Sequence, residues 1–152
     1  MNFLSPFITR SRFLSNAALQ SQKRVFEVLS NLLSDSEDAL SSDFIYQKLY
    51  ERERIGSTAV GRGVVVPHCR IENLSITKMA VLTLSEPMAY ENAEEGVDIF
   101  IAVIFPLHIQ NIHHQFMTAL VSFLKTDGML TKIRAAESNE ALYDIFAEKT
   151  VI

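Results

Sequence analysis

The four histidines of this sequence, His68, His108, His113 and His114, are its side chains best suited to reversible chemistry near neutral pH. His68 lies in the stretch GSTAVGRGVVVPHCR, residues 56–70, which contains three of the chain's five glycines. Glycine lets the backbone turn sharply and approach a ligand closely, and proline ends strand pairing because it has no N–H to donate. A glycine-rich turn, a short strand, an abrupt end and then a histidine indicate a side chain placed for chemistry.

An imidazole can act as a nucleophile at neutral pH, because its pKa of about 6.5 leaves one ring nitrogen unprotonated. Phosphoryl transfer then requires positioning and charge neutralisation, which backbone N–H groups, a hydroxyl and an arginine can supply. Thr58 and the backbone near Gly61 and Gly63 are candidates for these donors. The other interpretation of His68 is a turn residue that merely follows a proline, and the pattern of residues leaves both open.

Positive charge is concentrated around His68 in a chain that is acidic as a whole. The formal net charge is −4, which argues against a general nucleic-acid-binding protein. From Arg52 to Arg70, four arginines less one acid, Glu53, leave a local charge of +3. Such a patch suits an anion such as phosphate, although the same arginines could equally form a solvated face.

Metal binding and other nucleophiles are competing interpretations of the same residues. Cys69 and the histidines are possible ligands, but the chain has no CxxC pair, and HIQNIHH at residues 108–114 lacks the acid of an HExxH motif. The chain also has no GxSxG motif, which argues against a serine hydrolase. Cys69 and His68 would point to opposite faces of a strand, which argues against a thiol activated by its neighbour. We therefore predict neither a metal nor another cofactor.

Apolar periodicity predicts helices before and after a set of strands. Helices are expected over 22–34, 43–54 with Ser42 as N-cap, about 108–125, 129–136, and 139–148 with Ser138 as N-cap. Strands are expected near 57–60, 64–66, 78–84 ending before Pro87, and 97–105. The last strand is nearly all apolar, which suits burial on both faces of a sheet. The pattern indicates an α/β sandwich and leaves residues 1–16 and the strand order open.

The long helix separates its histidines by direction. Its apolar stripe consists of Ile109, Ile112, Phe116, Leu120 and Phe123. At about 100° per residue, His113 lies roughly 40° from the centre of the stripe, whereas His114 lies roughly 140° away and His108 roughly 100° away. We therefore expect His113 to lean into the interior and His114 to face solvent. Periodicity alone also fits His113 as a packed, hydrogen-bonded core residue.

Length and composition favour one globular domain over residues 1–152. The chain is 48% apolar and 21% charged, close to the soluble average. The N-terminus has no signal-peptide pattern, and the apolar run over 97–105 is too short to cross a bilayer. The single cysteine, Cys69, excludes an internal disulfide and fits a reducing compartment. We expect a cytoplasmic protein that is not embedded in a membrane.

The block RERIGSTAVGRGVVVPHC, residues 52–69, resembles the IIA proteins of the bacterial phosphoenolpyruvate-dependent phosphotransferase system, in the mannitol/fructose class. The likeness extends over nearly the whole chain. It implies a three-layer α/β sandwich in which helices flank a mixed, mainly parallel sheet. It also implies that His68 carries the phosphoryl group, that Arg52 is the family's arginine ahead of Gly-Ser-Thr, and that His113 is the second active-site histidine.

This resemblance implies a phosphotransferase component that takes phosphate from an HPr-like carrier. The phosphoryl group on His68 would be oriented by His113 and bound by a set of residues around it: Arg52, Thr58, Gly61, Arg62 and Gly63. The lone domain and the ending KIRAAESNEALYDI are most similar to the nitrogen-regulatory branch, which implies a regulator of target proteins. The alternative is a sugar-specific IIA protein that passes phosphate to a IIB domain for sugar uptake.

Three positions depart from the family pattern. Arg62 replaces the usual asparagine, Cys69 the usual glycine, and Val65 a common alanine. Arg62 could strengthen phosphate binding or reach a partner, and Cys69 places a thiol beside the site. Arg62 and Cys69 keep open a third interpretation, in which the chain is an inactive relative used only for binding.

Overall fold

The computed structural model describes residues 3–34, 40–108 and 110–147. Within these ranges the strands are β1 Phe13–Ala17, β2 Ala59–Gly61, β3 Val64–Val65, β4 His68–Ile71, β5 Lys78–Met88 and β6 Val97–Pro106. The helices are α1 Gln22–Leu33, α2 Ser42–Ile55, α3 Gln110–Lys125, α4 Met129–Ala135 and α5 Asn139–Ala147. None of these helices is long and apolar enough to cross a membrane.

The sheet is built around β6, which is nearly all apolar and buried. Its order is β1-β5-β6-β3-β2, and β4 also pairs with β6. The pairs β1–β5, β3–β6 and β4–β6 are parallel, whereas β5–β6 and β2–β3 are antiparallel. The predicted mixed, mainly parallel sheet is confirmed. β3 and β4 pair with consecutive segments of β6: Val64 pairs with Ile99, and His68 pairs with Val103.

Successive residues of β6 face two different helical layers, as strand geometry requires. Ile99, Ile101 and their odd-numbered successors pack against α3, α4 and α5. Phe100, Ala102 and Ile104 pack against α1 and α2. Two separate cores therefore lie on the two faces of one sheet, which confirms the predicted three-layer sandwich and explains why β6 tolerates so few polar residues.

The predicted strand over 64–66 does end before Pro67, since β3 stops at Val65, but the prediction that pairing stops at the proline is wrong. β4 begins at His68, directly after the proline, and runs parallel to β6. The proline lacks an N–H, but its carbonyl still accepts a hydrogen bond from the amide of Val103 at 2.9 Å. Pairing with β6 therefore continues past Pro67, and His68 is fixed as the first residue of a strand.

The predicted end of β5 before Pro87 is also wrong, since the strand continues to Met88. Met88 pairs with Val97, and the register between β5 and β6 shifts after Thr83. Such an irregularity accommodates a proline, because the missing N–H falls outside the regular ladder.

The helix boundaries differ from prediction by one or two residues where capping decides them. Ser41, not Ser42, caps α2, and its hydroxyl accepts the amide of Phe44 at 3.1 Å. α3 begins at Gln110, so His108 precedes it. Ser138 caps α5 as predicted, because its hydroxyl accepts the amide of Ala141 at 3.0 Å. Ile109 of the predicted stripe and residue 148 lie outside the described residues.

Candidate active site

His68 has one ring nitrogen fixed by the backbone. Its Nδ1 lies 2.7 Å from the carbonyl oxygen of Val66. A carbonyl oxygen only accepts, so Nδ1 carries the proton and donates it, and Nε2 keeps a lone pair. The amide of Val66 in turn donates to the carbonyl of Thr58 at 3.0 Å, which holds the accepting group in place.

Burial is the main cause that lowers the pKa of His68 from its ordinary value of 6.5. The hydrogen bond to Val66 and the charge of Glu53 raise this pKa, whereas the positive charge of Arg52 lowers it further. The ring is therefore neutral at pH 7, and Nε2 is available as a nucleophile.

His113 faces His68 from α3. The two ring centroids are 5.8 Å apart, and the planes meet edge to face at 77°. The other side of the His113 ring stacks on Phe105 of β6, with centroids 4.3 Å apart and planes 22° from parallel. His108 and His114 are exposed. The helix geometry predicted this distinction, and the structure brings His68 and His113 together.

Burial determines which ring nitrogen of His113 carries the proton. Its Nδ1 is buried and has no hydrogen-bond partner among the described residues. A buried N–H without an acceptor is rarer and costlier than a buried lone pair, so the neutral ring carries its proton on Nε2. Burial lowers the pKa of His113, and the positive charge of Arg70 lowers it further, which keeps the ring in this neutral form.

Arg52 lies in the last turn of α2, close enough for its charge to lower the pKa of both histidines. Its Nη1 donates to the carbonyl of Gly56 at 2.8 Å, and the side chain is half-exposed. This bond holds the guanidinium beside the segment that precedes β2. The structure thus groups Arg52 with His68 and His113.

Thr58 is engaged by a carboxylate that the sequence did not identify as part of the site. Its hydroxyl donates to Oε1 of Glu53 at 2.6 Å, and its amide donates to Oε2 at 2.9 Å. The hydroxyl of the buried Tyr90 also donates to Oε2, at 2.9 Å. Glu53 therefore fixes the backbone that positions Val66, and both donors of Thr58 are used.

The glycine turn lies at the other end of β3 from His68. Val64 pairs four residues earlier on β6 than His68 does, which separates the turn from the histidine by about 13 Å or more. Gly61, Arg62 and Gly63 all have positive φ, at 92°, 60° and 82°. The structure does not bring these three residues, which the sequence predicted to bind phosphate, to His68.

Arg134 of α4 explains the conformation of this turn. Its guanidinium donates to the carbonyl of Arg62 and to both carboxylate oxygens of Asp98, at 3.0 and 2.9 Å. A Cβ at Gly63 would lie 2.6 Å from Nη2 of Arg134. Glycine is therefore required here for the close approach of the protein's own arginine.

The two residues after His68 face opposite layers. Cys69 packs against the core beneath α1 and α2, and burial raises the pKa of its thiol to about 12. Arg70 shares the face of His68, because it lies two residues along β4. The sequence pattern identifies Arg70 only as part of the positive patch. The alternation along β4 could have identified it, had the start of that strand been known.

Three comparisons bear on this arrangement. Residues 6–149 match the family model "Phosphoenolpyruvate-dependent sugar phosphotransferase system, EIIA 2". The "Nitrogen regulatory protein" of Klebsiella oxytoca is 30% identical over 149 residues, which cover 97% of this chain and 89% of that protein.

Solved structures agree with the family match. "Nitrogen Regulatory Protein IIA-Ntr from Neisseria meningitidis" superposes with a TM-score of 0.87 at 23% identity, covering 95% of this chain and 99% of that one. IIAMTL of Escherichia coli, solved in complex with phosphorylated enzyme IIBMTL, gives a TM-score of 0.72 at 14% identity, covering 94% and 100%. At these identities the structures establish the shared fold.

Proposed function

Because this chain belongs to the EIIA 2 family of the phosphoenolpyruvate-dependent sugar phosphotransferase system, we propose that it accepts a phosphoryl group from an HPr-like carrier onto Nε2 of His68. The hydrogen bond between Nδ1 and the Val66 carbonyl is the observation that carries this proposal, since it leaves the Nε2 lone pair free. The lowered pKa of His68 supports it, because the nucleophile is then neutral at physiological pH.

The proposed step is a displacement at phosphorus. Nε2 of His68 forms a new N–P bond while the N–P bond of the carrier's phosphohistidine breaks, and the carrier's nitrogen keeps the electron pair of that bond. The proton on Nδ1 of His68 stays in place, bonded to Val66. Nothing is oxidised or reduced, and catalysis consists mainly of positioning and charge neutralisation.

The transferred group brings about two negative charges into the site. In this proposal the guanidinium of Arg52 neutralises part of that charge, and the Nε2–H of His113 donates to a phosphoryl oxygen. Thr58 would contribute directly only by releasing its hydroxyl from Glu53. The strand register gives no support to direct binding by Gly61, Arg62 or Gly63.

The proposed role of the phosphorylated state is regulation. The Klebsiella oxytoca relative, named a nitrogen regulatory protein, supports this role, because it matches nearly the whole of this chain. A change of about two charges at one surface alters which proteins can dock there. In this proposal residues 1–152 act as one EIIA domain in the cytoplasm, and the charge on His68 selects the target proteins.

The second candidate function is sugar transport, in which His68 passes its phosphate to a IIB domain. The observation that favours it is the shared fold with IIAMTL, which was solved with a phosphorylated IIB partner. Incubation of the labelled protein with IIB domains from the same organism separates the two functions. Rapid loss of label to a IIB domain favours transport, whereas retained label together with phosphorylation-dependent target binding favours regulation.

Phosphate uptake tests the nucleophile directly. The protein is incubated with labelled phosphoenolpyruvate, enzyme I and the carrier, and the label is mapped by mass spectrometry. We expect label on His68 in the wild type and in His114→Ala, a control that removes an exposed histidine from the same site region. His68→Ala should take up none. Uptake by His68→Ala at the wild-type level would refute the assignment.

A further inference from the structure

Arg70 is a charged residue of β4 on the same side of the sheet as His68. It lies two residues after His68 along this strand. Its partner in the parallel register is Phe105, the residue on which the His113 ring stacks. Adjacent strands lie about 4.8 Å apart, so Arg70 originates beside the ring pair.

The guanidinium of Arg70 is close enough to act on His113 electrostatically. After burial, the guanidinium of Arg70 is the strongest influence that lowers the pKa of His113, ahead of that of Arg52. A positive charge placed there disfavours a second cation and favours an anion. Because the His113 ring is neutral, the positive charge of this part of the site comes from Arg52 and Arg70.

Arg70 has hydrogen-bonding capacity to spare. Among the described residues its only hydrogen bond is from Nη1 to the carbonyl of Leu107, at 3.5 Å, the outer limit for such a bond. Other arginines of the chain are held by carboxylates at 3.0 Å or less: Arg10, Arg24 and Arg134. A half-buried guanidinium without an acid keeps most of its five donors available for an incoming anion.

We propose that Arg70 is a second phosphate-binding arginine, which contacts the phosphoryl group once His68 carries it. This inference rests on the proposed function and extends it. Arg52 approaches the site from the end of α2, whereas Arg70 approaches from β4, so the two guanidinium groups come from different structural layers. Their two charges match the roughly two negative charges of the phosphoryl group.

The test uses phosphoramidate as a small phosphoryl donor, so that it does not depend on the identity of the carrier. Arg70→Gln, Arg70→Lys and the wild type are compared with Arg54→Gln, an exposed arginine from the same positive stretch. Three quantities are measured: the uptake rate, the lifetime of phosphohistidine at position 68, and the pKa of the phosphoryl group by phosphorus NMR. Thermal unfolding confirms that each variant is folded.

We expect Arg70→Gln to lose about tenfold to a hundredfold in uptake or lifetime, as is typical of charge-assisted hydrogen bonds. The pKa of the phosphoryl group and that of His113 should both rise, because a positive charge is removed. Arg70→Lys should recover part of each change, since it restores the charge but not the planar fork. Arg54→Gln should stay within about twofold of the wild type.

The outcomes separate the two proposals. If the wild type takes phosphate on His68 and Arg70→Gln matches Arg54→Gln in all three quantities, the role of Arg70 is refuted and the proposed function stands. If the wild type takes no phosphate on His68, the proposed function fails and the role of Arg70 fails with it. Should Arg70→Gln not fold, a wild-type lifetime and phosphoryl pKa in Arg70→Lys refute the need for a guanidinium fork.

Discussion

The two ends of the stretch from Gly61 to Arg70 each lie beside an arginine, and these two arginines are bonded in opposite ways. At the glycine end, Arg134 of α4 is held by Asp98 and by the carbonyl of Arg62. At the histidine end, Arg70 makes one weak bond within the described part of the chain, and Nε2 of His68 keeps its lone pair. A region whose polar groups are satisfied internally contributes stability, whereas a region with unused donors and lone pairs is prepared for a ligand.

His113→Ala should produce the largest effect at the histidine end. We expect uptake of phosphate on His68 to fall about a hundredfold, because a preorganised donor to the phosphoryl oxygens is removed. The rate is measured with phosphoramidate, and His114→Ala serves as the exposed control. A His113→Ala protein that unfolds at lower temperature but keeps its uptake rate would show that His113 is a packing residue.

Gly63→Ala tests the glycine end. A Cβ there would lie 2.6 Å from Nη2 of Arg134, at a φ of 82° that other residues rarely adopt. We expect a loss of about 2 to 3 kcal/mol in the free energy of unfolding, with uptake per folded molecule unchanged. Denaturant unfolding measures the loss. Gly56→Ala is the matched control, because its φ of −179° is extended and open space surrounds it.

The opposite result at Gly63 would reverse the comparison between the two ends. If folded Gly63→Ala protein lost about tenfold in uptake, a charge-assisted contact would have been removed, and the turn would belong to the phosphate site as the sequence predicted. The glycine turn and His68 would then act together in phosphate binding, although β3 separates them.

Tyr90→Phe addresses Glu53, which holds Thr58 and, through the Thr58 carbonyl, the amide of Val66. The substitution removes one hydroxyl donor to the carboxylate and leaves both bonds from Thr58. We expect a loss of about 1.5 kcal/mol in unfolding free energy and an uptake rate within twofold of the wild type. Tyr50→Phe, in which the lost hydroxyl belongs to an exposed ring, is the control. A large loss of uptake without a loss of stability would make the network part of the chemistry.

The sequence predicted what depends on local pattern. The apolar run of β6, the helical periodicity that distinguishes His113 from His114, and the N-cap Ser138 are each determined within a few residues. The features that the sequence did not predict depend on strand pairing. Only the register with β6 makes His68 the first residue of β4 and sets Gly63 far from it, because neighbours in sequence separate by about 3.3 Å per residue along a strand.

The smallest effect expected is the response to pH. Burial lowers the pKa of His68 and of His113 below the ordinary value of 6.5. The unfolded chain therefore binds more protons than the folded chain once the pH falls below about 6.5. The free energy of unfolding should therefore keep its full value above that pH. It should decrease as the pH falls towards the folded pKa values. For each histidine the loss grows with the separation between its unfolded pKa and its folded pKa.

The same titration removes the nucleophile, because protonation of Nε2 occupies the lone pair of His68. NMR titration of the unphosphorylated protein should give a midpoint below 6.5 for His68, and denaturant unfolding at several pH values should show the matching loss of stability. A midpoint above that value would mean that acceptors around the ring outweigh its burial. The histidine end would then resemble the glycine end, with its polar groups satisfied by the protein itself.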